Sequence, residues 1–498
     1  MERRPLGRHR LGERECQNAR RVRSPIPSGK SPLRLASLGT SPQGEETGPR
    51  YFPHPSGGRR EETEQRRPLG RHRFWRTRVS ARPKGRRRED GRRASAVHRL
   101  GSHLMTVGGN RSSAGEETDV LIVGAGIIGL ASAHSLLQAG ASVRIVERSR
   151  PGAGDSTKTG GGIRLAHGTE TNVVLTQLSL PTWARFAAMT GIDPDYRPTG
   201  HLFLTSDDER AAQLTSQAEW LATLGVRAEL LTSNEIGSRW PHLRQMAFKT
   251  GSYCETGGYL DHHRVIEGYV RAVEAGGGVI EMGYRVNDVL TDGGRVTGVG
   301  TPSGDFRAQH VVNTAGAEAG TIAALAGLDI PFVSRRHELL VVLPQLPVPD
   351  QTPWLIDLDS QVHLRPDGEG RALIGGFLGR DDPVEPSGYD KKVSGNWSQQ
   401  AREAAARSFG IVDETCDVVD SWAGLYPGTL DYLPVLEISK PGLITAAGFS
   451  GTGLMHAPAV GQIVADLVLK GSTSALDITE LRSARFGEGG PVVERTGF

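Results

Sequence analysis

Cysteine is scarce in this 498-residue chain, which has only Cys16, Cys254 and Cys416. No two of them are close in sequence, so the chain has no CxxC redox pair, no cysteine zinc motif and no disulfide framework. This usage suits a reducing compartment and predicts a cytoplasmic protein without a metal site.

Long uncharged apolar runs are also missing. The candidate stretch, Val120 to Ala133, carries no charge, but His134 and Gln138 follow it directly. A membrane-spanning helix needs about 20 consecutive apolar residues. We therefore expect no membrane span.

Residues 1–104 are poor in aliphatic side chains and contain 27 Lys/Arg against 10 Asp/Glu, whereas the remainder contains 32 against 46. The octapeptide RRPLGRHR occurs twice, at 3–10 and 66–73. Such a segment buries too little apolar surface to offset chain entropy. The sequence thus predicts a disordered basic tail and linker, 1–117, in front of an acidic globular body.

Three interpretations of the tail compete: a nucleic-acid-binding arm, an organellar transit peptide, and a solvated tail or non-native upstream stretch. Arginine clusters attract phosphates, but the body is acidic, so we expect no nucleic-acid partner. Ten acids and many Pro and Gly residues oppose a transit helix. On the third interpretation Met105 is the natural start, and deleting residues 1–104 leaves folding and activity unchanged.

The segment 119–147, DVLIVGAGIIGLASAHSLLQAGASVRIVE, is the most informative part of the chain. It reads as a buried strand, a glycine turn, a small-residue helix to about Gln138 and a second strand ending on Glu147. In this pattern backbone N–H groups and a helix N-terminus bind pyrophosphate, and the acid binds ribose hydroxyls. The turn glycines are Gly124, Gly126 and Gly129.

A GxGxxG match alone proves little, because about one is expected by chance in a chain this rich in glycine. The strand–turn–helix context therefore carries the prediction of a dinucleotide site. Downstream we expect helices over 171–190, 207–224 and 396–408, a strand over 200–205 and a glycine-rich loop over 148–164. A strand is also expected over 284–290.

Four motifs resemble the FAD-dependent amine and amino-acid oxidoreductases of the D-amino-acid oxidase superfamily, in the sarcosine oxidase and glycine oxidase subgroup. In chain order they are DVLIVGAGIIGLASAHSLLQAG…VRIVE, STKTGGGIR, VVNTAGAEA and WAGLYPGTLDYLPVL…GLITAAGFSGTGLMHAPAVGQIVADLVLKG. Their order and spacing match over about residues 118–486.

The resemblance implies an α/β fold: a Rossmann-like FAD-binding domain with a discontinuous, mixed antiparallel-sheet substrate domain of α+β type. The FAD-binding domain is expected over 118–195, 258–330 and 421–486. The substrate domain is expected over 196–257 and 331–420, and a tail over 487–498.

The resemblance also implies which residues touch the cofactor. The turn glycines match the pyrophosphate site and Glu147 the ribose site. The other matching positions are Lys158, Val286, Gly316, Gly448, Ser450, Gly451, Thr452 and Gly453. Since the flavin-bearing cysteine of some relatives corresponds to Gly424, we expect FAD to bind noncovalently.

On the substrate side, Arg164 in GGGIR matches the arginine that holds the substrate carboxylate, and His337 and Tyr426 match positions near the flavin. The implied reaction transfers a hydride from a small amine or amino acid to FAD. Electrons then pass to O2 or to an electron-transfer partner. Met455 stands where sarcosine oxidases carry a lysine, which favours a dehydrogenase. The alternative is a non-catalytic or β-subunit flavoprotein in a hetero-oligomer.

Overall fold

The computed structural model describes residues 117–243, 248–379 and 382–488. The predictions for residues 1–104 and for a start at Met105 fall outside these ranges. The helices are α1 Ile127–Gln138, α2 Glu170–Thr190, α3 Asp208–Thr223, α4 Ser233–Arg239, α5 His262–Ala275, α6 Ala319–Leu325, α7 Gly395–Phe409 and α8 Gly453–Lys470.

The strands fall into two eight-stranded sheets and one short pair. They are β1 Thr118–Val123, β2 Val143–Glu147, β3 Gly162–Arg164, β4 His201–Thr205, β5 Glu229–Thr232, β6 Thr250–Cys254, β7 Gly257–Tyr259, β8 Val279–Met282, β9 Asp288–Asp292, β10 Arg295–Thr301, β11 Gly304–Asn313, β12 Phe332–Leu343, β13 Trp354–Asp357, β14 Val362–Pro366, β15 Ala372–Gly376, β16 Asp417–Thr429, β17 Val435–Lys440 and β18 Leu443–Ala447.

The first sheet has the order β17-β18-β11-β1-β2-β8, with β10 and β9 extending from β11. Strands β18, β11, β1, β2 and β8 are parallel. Such strands are covered on both faces and consist of nearly continuous apolar residues, as in Val120–Val123, which is almost fully buried. Helices α1, α2, α5 and α8 share one hydrophobic core beside this sheet.

The second sheet has the order β16-β12-β15-β14-β13-β4-β6-β5 and is antiparallel except between β13 and β4. Side chains alternate between its two faces. Leu202 and Leu204 join the core that includes α7, whereas Phe203 and Trp354 join a different core on the opposite side. The short pair β3–β7 is antiparallel and carries Arg164.

The mixed α/β architecture agrees with the predicted fold class. Side-chain caps start helices α3 and α4: the Asp207 carboxylate accepts from the Arg210 N–H before α3, and Thr232 and Glu235 form a capping box at α4. No helix within the described ranges is both long enough and apolar enough to span a bilayer.

Two local predictions are wrong. The strand expected over 284–290 begins only at Asp288, because the Tyr284 N–H donates instead to the Glu147 carbonyl at the end of β2. The loop expected over 148–164 ends in strand β3, which is paired with β7. In addition, β16 belongs to the second sheet through residue Thr429, whereas residues from 421 onward were assigned to the FAD-binding domain. The domain boundaries stay a prediction.

Candidate active site

The turn between β1 and α1 is built by glycine. Gly124 has a φ of +101°, and a Cβ there would lie 2.9 Å from the Thr314 carbonyl oxygen. A Cβ on Gly129 would lie 2.0 Å from the Gly124 carbonyl oxygen, so only glycine lets α1 pack this closely on the turn. The N-terminus of α1, with Gly126 as its N-cap, therefore lies at the end of β1.

Glu147 stands at the end of β2, beside this turn. Its carboxylate accepts hydrogen bonds from the Ala125 N–H at 2.9 Å and from the Ser149 N–H at 2.8 Å. An ionised carboxylate has about four lone-pair sites, so both oxygens keep capacity for ribose hydroxyls.

The loop after β2 contributes two polar residues that the sequence analysis did not assign. Ser156 Oγ accepts from the Ile127 N–H at 3.0 Å, in the first turn of α1, and Asp155 Oδ1 accepts from the Leu425 N–H at 2.9 Å in β16. The sequence signal was the DST triplet within the glycine-rich segment, but their partners are 29 and 270 residues away. Only the folded chain reveals these contacts.

A second glycine turn leads from β18 into α8. Gly448 and Gly451 have positive φ values of +81° and +91°, and a Cβ on Gly451 would lie 2.7 Å from the Tyr426 ring. Ser450 also has a positive φ of 50°, and its N–H donates to the Pro427 carbonyl at 2.8 Å. The Thr452 hydroxyl donates to the Phe449 carbonyl at 2.6 Å. These contacts fix the turn against β16.

One long cavity joins the two glycine turns and comprises about 1340 Å³ of space free of protein atoms, including the part open to solvent. Among the predicted residues, those that line it are Gly124, Gly126, Glu147, Lys158, Val286, Gly316, Tyr426, Gly448, Gly451 and Gly453.

The remaining predicted residues do not line the cavity. Gly129 packs on the first turn, and Ser450 and Thr452 brace the second. Of the residues described, Arg164 and His337 are not among those lining the cavity. Thr314, which was not predicted, does line it, and its hydroxyl donates to the Val123 carbonyl at 2.9 Å.

These residues fit FAD. The β1–α1 glycine turn and helix N-terminus suit a pyrophosphate, and Glu147 suits a ribose. At the other end the N-terminus of α8 lies beside the glycines of the second turn, where its partial positive charge favours a polarised ring oxygen. The two turns are over 300 residues apart in sequence. They come close together because β18, which precedes the second turn, lies in the same sheet as β1, with only β11 between them.

Arg164 lies next to the cavity end that contains Tyr426. Arg164 is 9% exposed. Burial raises the pKa of Tyr426, and the charge of Arg164 opposes this increase in part. Burial, followed by the charge of Arg164, lowers the pKa of three imidazoles: that of His167 falls well below its usual value, and those of His201 and His456 fall to about 3. The pKa of His363 also falls to about 3, through burial, then Arg365 and then Arg164.

Two of these histidines share a hydroxyl. His167 Nε2 and His456 Nε2 lie 3.1 and 3.0 Å from Thr176 Oγ1 on α2. The rings are 5.5 Å apart and belong to the β3–α2 connection and to α8. Thr176 thus links the connection that follows β3 to helix α8.

His337 stacks on Tyr426 with ring centroids 3.9 Å apart, and the edge of its ring meets Phe377. Burial, with smaller contributions from His363 and nearby arginines, lowers its pKa to about 3. A base this weak stays unprotonated at neutral pH. Burial therefore favours the neutral imidazole, which can pack and form hydrogen bonds.

Lys158 Nζ donates to the Tyr389 hydroxyl at 2.6 Å and lies 3.6 Å from Asp155 Oδ1. Tyr389 comes from the connection between β15 and α7, and no sequence pattern pointed to it. A Cβ on Gly424 would lie 2.7 Å from Cβ of Lys158. The glycine in β16 is thus required by the lysine packed on it.

Known proteins resemble this chain over most of the described part. It is 27% identical over 384 residues to the 4-methylaminobutanoate oxidase (formaldehyde-forming) of Paenarthrobacter nicotinovorans, covering 72% of this chain but only 45% of that protein. It is also 27% identical over 366 residues to the glycine oxidase of Geobacillus kaustophilus, covering 72% and 94%. The solved structure of L-proline dehydrogenase from P. horikoshii superimposes with a TM-score of 0.70 at 27% identity, covering 76% and 99%.

These likenesses agree with the motif resemblance, which is confirmed at the level of the family. The chain spans less than half the length of the first relative, but nearly the full length of the second and of the solved structure. The sequence model described as "FAD dependent oxidoreductase" matches residues 119–467, well over half of the chain. The glycine turns, the acid and the cavity between them therefore belong to a member of the FAD-dependent oxidoreductase family.

Proposed function

We propose that this protein oxidises the C–N bond of a small amino acid, or of an N-alkyl or secondary amine that carries a carboxylate, by hydride transfer to noncovalent FAD. The single observation that carries the proposal is the buried Arg164 on β3, a strand that packs against α8 at the Tyr426 end of a cavity that fits FAD. Sarcosine-, dimethylglycine-, proline- and D-amino-acid-like compounds belong to this substrate class.

Arg164 is the residue that would hold the substrate. A guanidinium presents a fixed fork of donors to a carboxylate, and such bidentate pairs orient as well as bind. Orientation matters because a correctly held reactant converts an encounter into a unimolecular step. Arg164 is buried, so water competes weakly for the carboxylate.

The same environment favours a neutral amine. Burial, and to a smaller extent the Arg164 charge, lowers the pKa of His167, His201 and His456, and burial likewise disfavours the charged form of an amine. A neutral amine keeps the lone pair that assists departure of hydride from the adjacent carbon. Bound FAD supplies the hydride acceptor for this step.

His337 and Tyr426 would form one wall of the substrate space. Their stacked rings are rigid, and the pKa of Tyr426 is raised by burial while that of His337 is lowered. Both therefore stay uncharged and act as hydrogen-bonding and packing surfaces. Hydrolysis of the imine product needs only water.

Anaerobic mixing of the FAD-loaded protein with sarcosine, dimethylglycine, proline and D-amino acids tests the proposal. We expect at least one of them to bleach the flavin absorbance. Admission of O2 then separates an oxidase, which recovers its colour rapidly, from a dehydrogenase, which needs another acceptor. No bleaching by any compound, together with stable FAD and a constant partner in pull-downs, would favour the alternative of a flavoprotein subunit without turnover.

A further inference from the structure

Three consecutive glycines, 160–162, end two residues before Arg164. Packing against one side chain, that of Trp354, explains why two of these positions are glycine. A Cβ on Gly160 would lie 2.7 Å from Cη2 of Trp354, and a Cβ on Gly162 would lie 3.0 Å from its Cζ3. Gly161 has a φ of +81°, and a Cβ there would lie 2.2 Å from the Leu260 carbonyl oxygen. The backbone before Arg164 therefore lies directly on the indole of Trp354.

Arg365 binds the same backbone from β14. Its Nε donates to the Gly160 carbonyl at 2.8 Å, and its Nη1 donates to Asp367 Oδ1 at 3.0 Å. The guanidinium carbon is 4.6 Å from the centre of the Tyr259 ring, and Tyr259 pairs with Gly162 in the β3–β7 ladder. Arg365 is 5% exposed, and burying its charge is costly. Its contacts connect β7, and the glycine backbone that precedes β3, to β14 of the second sheet.

Trp354 is itself held firmly. Its backbone N–H donates to the Gly200 carbonyl at 3.0 Å, and its ring stacks on His201 with centroids 5.5 Å apart and an interplanar angle of 15°. The indole is therefore a fixed surface of the second sheet. Strand β3, which has three residues and one partner strand, depends on that surface for its position.

We propose that Trp354 and Arg365 are positioning residues for Arg164: they hold the Gly160–Gly162 backbone against the second sheet and so fix where the guanidinium meets a carboxylate. This inference rests on the proposed role of Arg164. A planar fork must be aligned with its carboxylate, and small misplacements weaken it strongly.

The first test replaces Arg365 by Met in the full-length, FAD-loaded protein. Acetate, a carboxylate without an amine, is titrated while the flavin absorbance is followed. We expect the Kd for acetate to rise at least tenfold with the FAD content unchanged. Arg402→Met is the matched control, because Arg402 also donates to a backbone carbonyl, that of Glu414 at 2.7 Å, but lies on α7. A Kd within twofold of the parent value in Arg365→Met overturns the inference.

The second test does not depend on removing a buried charge. Gly160→Ala places a methyl group against Cη2 of Trp354, and Trp354→Phe removes that atom. We expect Gly160→Ala to raise the acetate Kd at least tenfold and the double variant to lose less binding free energy than the two single variants together. If the loss of acetate-binding free energy in the double variant equals the sum of the losses in the two single variants, the proposed contact is contradicted.

Amide hydrogen exchange separates this inference from the proposed function. If the parent protein neither binds acetate nor is reduced by any amino acid, the proposed carboxylate role of Arg164 fails. The positioning role is then decided by exchange at residues 160–165, which should be at least tenfold faster in Arg365→Met than in Arg402→Met. Equal exchange in the two variants refutes it.

Discussion

Gly424 and Lys158 pack so closely that a Cβ built on Gly424 would lie 2.7 Å from Cβ of the lysine. Gly424 is the position that matches the flavin-attaching cysteine of some relatives. A cysteine needs a Cβ that this packing does not allow without a shift of Lys158. The contact therefore supports noncovalent FAD, which the absence of a thiol at this position already favoured.

We predict that acid precipitation separates FAD from the protein completely. The precipitate should be colourless, and the supernatant should contain one FAD per chain, measured by absorbance and by mass spectrometry of the intact protein. A yellow pellet, or a protein mass increased by that of FAD, would show a covalent link.

Gly424→Ala should destabilise the protein by about 1–3 kcal/mol, as is typical when an extra carbon is forced into a packed site. Thermal unfolding of the FAD-loaded protein measures the effect. Gly395→Ala is the control, because a Cβ there meets nothing within 4 Å and alanine is preferred to glycine in a helix. Equal melting temperatures for the two variants would argue against the close contact.

Glu147→Gln should weaken FAD binding by about 1–3 kcal/mol, which is roughly 5- to 150-fold in Kd. The carboxylate accepts two backbone N–H bonds that order the first glycine turn, and bonds to charged acceptors are the stronger ones. Quenching of FAD fluorescence on binding gives the Kd. Glu281→Gln on the next strand removes an ion pair with Arg144 instead and should leave FAD affinity nearly unchanged.

Arg164→Gln should weaken binding of an amino-acid substrate by a few kcal/mol while FAD stays bound, because it removes a charge-assisted pair with the carboxylate. Anaerobic flavin reduction at varied substrate concentration yields the Kd and the limiting rate. The matched comparison is the same amine without its carboxylate. Its Kd should barely differ between the parent and the variant. Loss of FAD from Arg164→Gln would instead assign the residue a structural role.

Acidification should destabilise the fold below about pH 6.5. Burial lowers the pKa of His201, His262, His337, His363 and His456 to about 3. Between the unfolded and folded values the unfolded chain binds more protons, so stability is fully present above pH 6.5 and decreases as the pH falls toward 3. Each such histidine contributes a slope of up to about 1.4 kcal/mol per pH unit.

Denaturant unfolding at pH 8, 6 and 5 measures that slope. His262→Gln should reduce the number of protons taken up on unfolding by up to one, and the slope with it. The same substitution at its exposed neighbour, His263, is the control. A stability that is constant from pH 8 to pH 5 would contradict the buried, neutral state of these imidazoles.

The sequence by itself determined the cofactor end of the site. A buried strand, a glycine turn and a helix ending before a second strand with Glu147 specify their own local geometry, because the hydrophobic pattern and the glycine conformations are local properties. The second glycine turn, at Gly448 to Gly453, was identified through the family resemblance of its motif. Both turns line one cavity in the folded chain.

Only the tertiary structure decided what surrounds Arg164 and what holds it. The GGGIR segment shows where the arginine lies in sequence, but Trp354 and Arg365, which contact its backbone, follow some 190 and 200 residues later. The neutral state of His337 likewise results from burial between Tyr426 and Phe377. Desolvation and contacts between distant strands depend on how the two sheets close on each other, and no local pattern in the sequence encodes them.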